Sequence, residues 1–83
     1  MPTPRDAADP ERQERWKQAR RRVGGNVRRL RLEAGLTQEA LALESSLSRN
    51  QLVELEHGRR GVRFERLDNL ADALDVSVAD LVN

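Results

Sequence analysis

An 83-residue chain with 37% hydrophobic and only 2% aromatic residues is expected to hold one domain, near the lower size limit for a core that folds unaided, with no room for a separate catalytic or ligand-sensing domain. The absence of cysteine excludes a disulfide framework and a thiolate metal site, and no apolar run reaches membrane-spanning length. The net charge of +1 hides an asymmetry: residues 1–35 carry ten Lys and Arg against five Asp and Glu, residues 36–83 five against nine.

A core limited to Leu, Val and Ala favours packed helices over a sheet. Residues 1–8, with two prolines and no apolar period, are expected to form a disordered tail, and 9–83 the domain. The start lacks the apolar segment of a signal peptide, so a cytoplasmic protein is expected.

Asp9-Pro10 reads as an N-cap followed by proline at the first helical position. From there Trp16, Ala19, Val23, Val27, Leu30 and Ala34 recur at spacings of three and four. The stripe stays in phase across Gly24-Gly25, which predicts one long first helix; the alternative is a break, since two adjacent glycines cost about 2 kcal/mol against alanine. Trp16 either covers an apolar edge of its own subunit or anchors a partner. Arg20, Arg21, Arg22, Arg28 and Arg29 form either a solvated face or a set of phosphate contacts.

Gly35 ends this helix. Thr37 is the N-cap of the next, with Leu36 placed to staple to Leu41. Ser45 and Ser46 then interrupt the apolar period as a turn. Ser48 caps a further helix in a capping box with Gln51, and Leu47 can staple to Leu52. Residues 37–58 therefore read as helix, tight turn, helix.

Sorted by the 3.6-residue period, the second of these helices places Leu52, Leu55 and Glu56 on one side and Arg49, Asn50, Val53, Glu54 and His57 on the other. Arginine matches guanine O6/N7 and asparagine adenine N6/N7 in bidentate geometry; a valine can touch a thymine methyl and a glutamate can accept from cytosine N4. His57 is a lone histidine, a poor metal site, better suited to a helix C-terminus. Gly58 ends the helix, and Arg59, Arg60 and Arg63 follow in a loop. Phe64, Leu67, Leu70, Ala71 and Leu74 give a further helical stripe expected to close the core. Ser77 caps a last short helix, stapled by Val76 and Leu81, which leaves Val78 and Val82 as either a dimer patch or fraying hydrophobes.

Leu30-Arg31, Gly35-Leu36-Thr37-Gln38, Leu41-Ala42, Leu47-Ser48, Leu52, Leu55-Glu56, Gly58, Leu67, Leu70-Ala71, Leu74, Val76-Ser77 and Leu81 together form a pattern at fixed spacing. That pattern resembles the phage-repressor and Cro type of helix-turn-helix, also called the xenobiotic-response-element family. The resemblance covers Val27 to Leu81.

It implies an all-α, five-helix, lambda-repressor-like DNA-binding domain, here with an extended first helix. It also implies a nucleoid-associated regulator of transcription that binds double-stranded DNA, most readily as a homodimer, with the helix from Arg49 in the major groove. Arg49, Asn50, Val53 and Glu54 would then read bases, and Gln38, Arg59, Arg60 and Arg63 would contact phosphates. Arg31 and Glu56 would form a structural ion pair. Ser46, Val62 and Arg63 depart from the family's usual turn glycine, proline and capping serine.

The alternative is a helical adaptor or antitoxin in which the Trp16 helix binds a partner protein. With no nucleophile–base pair, paired carboxylates or phosphate-cradling glycine loop, an enzyme is not expected, nor a cofactor, a metal or a membrane partner.

Overall fold

A computed structural model describes residues 9–83; the tail expected over residues 1–8 lies outside them. The described residues form five helices and no strand: α1 Pro10–Glu33, α2 Gln38–Glu44, α3 Arg49–Glu56, α4 Phe64–Leu74 and α5 Val78–Val82. The chain is all-α, as expected. α1 packs on α3, α5 and, over a smaller area, α4; α2 packs on α3 and α4, and α4 on α5.

The helix starts are written in single side chains. Asp9 Oδ1 accepts from the Glu11 amide, Thr37 Oγ1 from Ala40 and Ser48 Oγ from Gln51, whose own side chain returns to the Ser48 amide. Ser77 and Asp80 form a second reciprocal box. Each such bond satisfies an amide that would otherwise lack an intrahelical partner.

The ends of α1 to α4 share one device, a residue with positive φ followed by a chain reversal bonded back to the last helical turn. Leu36, Leu47, Arg59 and Val76 donate to the carbonyls of Arg31, Ala42, Glu54 and Ala71 in turn. Gly35 and Gly58 occupy two of the left-handed positions, but Ser46 (φ 59°) and Asp75 (φ 57°) occupy the others. An L side chain there costs on the order of 1 kcal/mol, so the turn of the helix-turn-helix is built at some strain.

α1 is continuous through Gly24-Gly25, and the two glycines differ in what surrounds them. A Cβ at Gly24 would collide with the Leu55 carbonyl oxygen and lie 2.9 Å from that of Glu56, whereas Gly25 faces open space. Gly24 thus lets the α1 backbone rest on the end of α3. The propensity it loses is the condition of that contact.

The core is Val27, Leu41, Ala42, Leu52, Leu55, Leu67, Leu70, Ala71, Leu74 and Leu81. No aromatic side chain belongs to it. Phe64, expected to close the core, is 67% exposed at the first turn of α4, and Trp16 is 43% exposed. Trp16 sits in the first half of α1, where no residue before Val23 joins the core or its partly buried rim. A helix of 24 residues spans about 36 Å, and the molecule measures 50 × 23 × 19 Å.

Two bonds that join distant parts of the chain hold α5 to α1. Arg22 Nε donates to the Val82 carbonyl at 3.0 Å and Asn26 Nδ2 to that of Leu81 at 2.9 Å. Val78 and Val82 are half-buried against the core beneath them.

Candidate nucleic-acid interface

α3 has an inner face of Leu52, Leu55 and Glu56, all buried, and an outer face on which Arg49, Asn50 and His57 are exposed and Val53 and Glu54 half-buried. Its inner face is anchored by a fork. Arg31 of α1 donates from Nε to Glu56 Oε2 at 2.7 Å and from Nη2 to Oε1 at 3.0 Å, and from Nη1 to the Leu36 carbonyl. Both residues are under 9% exposed, and the hydrogen bond to Glu56 raises the arginine's pKa further.

Gln38 joins the same cluster. Its Nε2 donates to Glu56 Oε1 at 3.1 Å, so its side chain is committed inward, while its backbone amide opens α2. The phosphate contact expected of Gln38 is thereby narrowed to that amide. A side chain bonded to a buried carboxylate does not reach outward.

The outer face carries two ion pairs. Arg49 Nε lies 2.7 Å from Glu39 Oε1 of α2, with both side chains at least 60% exposed. Arg59 donates from Nε and Nη2 to the two Glu54 oxygens at 2.8 and 3.0 Å. That fork pushes the Glu54 carboxyl below the ordinary glutamate range and raises Arg59. The Glu54 oxygens, expected to accept from cytosine, are paired with Arg59 in the DNA-free protein, because the chain reversal after Gly58 brings residue 59 back over the last turn of α3.

His57 is bonded too. Its Nδ1 lies 2.8 Å from the Val53 carbonyl, which can only accept, so Nδ1 carries the proton. Among the described residues no cluster of acidic, histidine or cysteine side chains could hold a metal.

Gly58 adds a constraint that periodicity does not reveal. It has φ 72°, and a Cβ there would lie 2.7 Å from Arg21 Cγ and 2.9 Å from its Cα, so α1 lies against this turn. Arg21 is therefore a wall of the α3 end. Of the other first-helix arginines, Arg22 is engaged with α5 and Arg29 with Glu33 at 3.3 Å. Arg60 and Arg63 are exposed in the loop after α3.

Two helices joined by the turn at Ser46, the second offering a polar face while its inner face is locked to the core, define a helix-turn-helix domain. The sequence profile of the helix-turn-helix family matches residues 27–81. The uncharacterized HTH-type transcriptional regulator y4dJ of Sinorhizobium fredii is 48% identical over 63 residues, 76% of this chain and 82% of that protein. Among solved structures, the clp gene regulator ClgR of Corynebacterium glutamicum superposes with a TM-score of 0.74 at 40% identity, over 76% of this chain and 67% of that one. The restriction-modification controller protein C.AhdI of Aeromonas hydrophila gives 0.72 at 37% identity, over 75% of this chain and 94% of that one. The chain belongs to the helix-turn-helix family, in its xenobiotic-response-element type, a family of DNA-binding transcriptional regulators.

Proposed function

We propose that the chain binds duplex DNA sequence-specifically as a homodimer, with α3 in the major groove, and regulates transcription by occupying an operator. The observation that carries this reading is the division of α3, whose inner face is fixed by Leu52, Leu55 and the Arg31–Glu56 fork while Arg49, Asn50 and Val53 face outward. A rigidly held helix with exposed planar polar groups has the chemistry of base readout.

Arg49 leaves Glu39 at little cost, because an exposed pair of this kind contributes little to stability. Its guanidinium then reads guanine, Asn50 reads adenine and Val53 meets a thymine methyl. Glu54 aims Arg59 rather than reading a base, and Arg59, Arg60, Arg63 and the Gln38 amide fix register on phosphates without specifying sequence. Val78 and Val82 offer the apolar edge for a second copy. The length of C.AhdI, of which the matched segment makes up 94%, supports the view that a unit of this size suffices for a regulator. A cytoplasmic protein on the nucleoid is the setting this requires; among the described residues no helix is long and apolar enough to cross a membrane.

Selection from random duplex DNA, run with the wild type and Arg49→Ala at two salt concentrations, tests the proposal. An inverted repeat enriched by the wild type and lost with Arg49→Ala is expected, the discrimination at one base falling by about 1–3 kcal/mol. Weak binding without an enriched site, unaffected by Arg49→Ala, refutes it.

The exposed Trp16 on the outer half of α1 favours a second reading, capture of a partner protein by that helix. Salt separates the two. Association through phosphates weakens steeply as salt rises, and a tryptophan-centred interface does not.

A further inference from the structure

Between α1 and the loop that follows α3 lies a groove of about 210 Å³. Its apolar walls include Val23, Leu55, Val62 and Leu67, and Ala19, Gly61 and two arginines, Arg20 and Arg60, also line it. Leu55 and Leu67 are buried beneath; Val23 and Val62 are half-exposed, so the apolar surface is open.

Arg20 is the unusual part. Neither it nor Arg60 forms an ion pair among the described residues, which is true of most arginines here. Arg20, however, is half-buried, and its Nε is shut off from solvent with no hydrogen-bond acceptor. Its aliphatic stem lies over the loop, with Cδ 3.8 Å from where a Gly61 Cβ would stand. A buried N–H without an acceptor is destabilising, and a small rotation of this flexible side chain toward the groove would relieve it if an anion were there.

We infer that the groove is a binding site for a small amphipathic monoanion, a short hydrocarbon ended by one carboxylate. The hydrocarbon lies on Val23, Leu55, Val62 and Leu67, and the carboxylate accepts from Arg20 and Arg60. The lining selects within this class. Four apolar side chains suit a short hydrocarbon such as that of a six-carbon acid, and a mainly apolar groove offers little to the sugar and phosphate of a nucleotide. Inorganic phosphate has the charge but nothing for the four apolar walls. A neutral alcohol has the chain but leaves both guanidinium groups unanswered.

The site would be coupled to the rest of the molecule through Arg60, which the proposed function places on a DNA phosphate. A carboxylate that holds Arg60 in the groove withdraws it from the duplex. This coupling rests on the DNA reading, whereas the binding of the anion does not.

The experiment is a methyl NMR titration of the full chain, without DNA, using sodium hexanoate, with 1-hexanol and with sodium chloride at matched ionic strength as comparisons. Saturable shifts at the Val23, Leu55, Val62 and Leu67 methyls are expected with hexanoate, with hexanol weaker by about tenfold, as for loss of a charge-assisted hydrogen bond. Arg20→Met removes the charge and keeps an apolar stem; Gly61→Leu, at a position without positive φ, fills the groove from the loop. Each weakens hexanoate binding by about tenfold or more while far-UV circular dichroism stays helical.

Shifts that never saturate, equal binding of hexanol, or wild-type affinity in both variants overturns the site. A final arm adds hexanoate to the protein–duplex complex. Release of DNA from the wild type but not from Gly61→Leu supports the coupling, and groove binding without release overturns the coupling alone. A chain that binds hexanoate but no duplex refutes the DNA reading and leaves the site standing.

Discussion

Helix α3 makes two arginine–glutamate forks of nearly equal length, Arg31 to Glu56 on its inner face at 2.7 and 3.0 Å, and Arg59 to Glu54 on its outer face at 2.8 and 3.0 Å. Bond geometry does not tell them apart. Surroundings do: the inner pair is almost entirely out of water, while the outer pair stands in it. Inside, breaking the pair leaves an uncompensated buried charge; outside, solvent replaces whichever partner is lost. The same chemistry therefore fixes the helix on one face and remains available for exchange with a ligand on the other.

The largest effect is expected from breaking the inner fork. Arg31→Met strands the Glu56 carboxylate and should destabilise the domain by roughly 3–5 kcal/mol, a large part of what a chain of this size possesses. Denaturant unfolding measures it. Combining Arg31→Met with Glu56→Leu should recover most of the loss, since an apolar pair of similar volume often replaces a buried ion pair without penalty. A double variant no more stable than the single would locate the cost in the lost Leu36 and Gln38 bonds rather than in the charge.

Adjacent glycines sharpen the same contrast between a buried and an open site. Gly24→Ala pushes a methyl into the α3 carbonyls and should cost about 1–3 kcal/mol by overpacking. Gly25→Ala meets nothing and should stabilise the helix by about 1 kcal/mol. Equal melting midpoints for the two variants would mean that α1 does not bear on α3 there.

The smallest effect on stability belongs to the outer fork. Arg59→Ala should leave the melting midpoint at neutral pH where it was, yet weaken binding to every duplex alike and lower the salt slope by about 1. Acid separates the partners from the other side. Glu54 has a lower pKa folded than unfolded, so whatever the fork adds to stability is fully present above the ordinary glutamate value and is lost as pH falls through the depressed one. Carbon NMR of the Glu54 carboxyl should show its midpoint rising toward the ordinary value in Arg59→Ala. An unmoved midpoint would remove Arg59 as the cause.

Much of the fold was legible because its signals are local. Asp9, Thr37, Ser48 and Ser77 sit next to the amides they cap, and the apolar stripes of α1 and α4 repeat every turn. What escaped depends on approach between distant segments. Gly24 reads locally as a weak point, and only the carbonyls of Leu55 and Glu56, more than thirty positions away, show why it is glycine. Arg22 and Asn26 resemble members of a solvated polar face until α5 arrives to accept from them.

Phe64 fits the periodicity of α4 but stands one turn beyond the layer it would join, so its phase was correct and its depth was not. In the candidate interface, residue types pointed to the outer face of α3. The mutual capture of Glu54 and Arg59 was hidden because it depends on the reversal after Gly58. Asp75 in the left-handed region carries no sequence signal beyond aspartate's tolerance of it.

The first helix is one rod with two mechanical regimes. From Val23 onward it is gripped by α3, α4 and α5, and up to Trp16 it stands clear of the core. Amide hydrogen exchange should register this as a gradient within a single helix, rapid opening over the first turns and, beyond Val23, exchange only when the whole domain unfolds. A rod clamped at one end carries its largest bending moment at the grip, so a load applied at Trp16 would bear on the contact between Gly24 and the carbonyl end of α3.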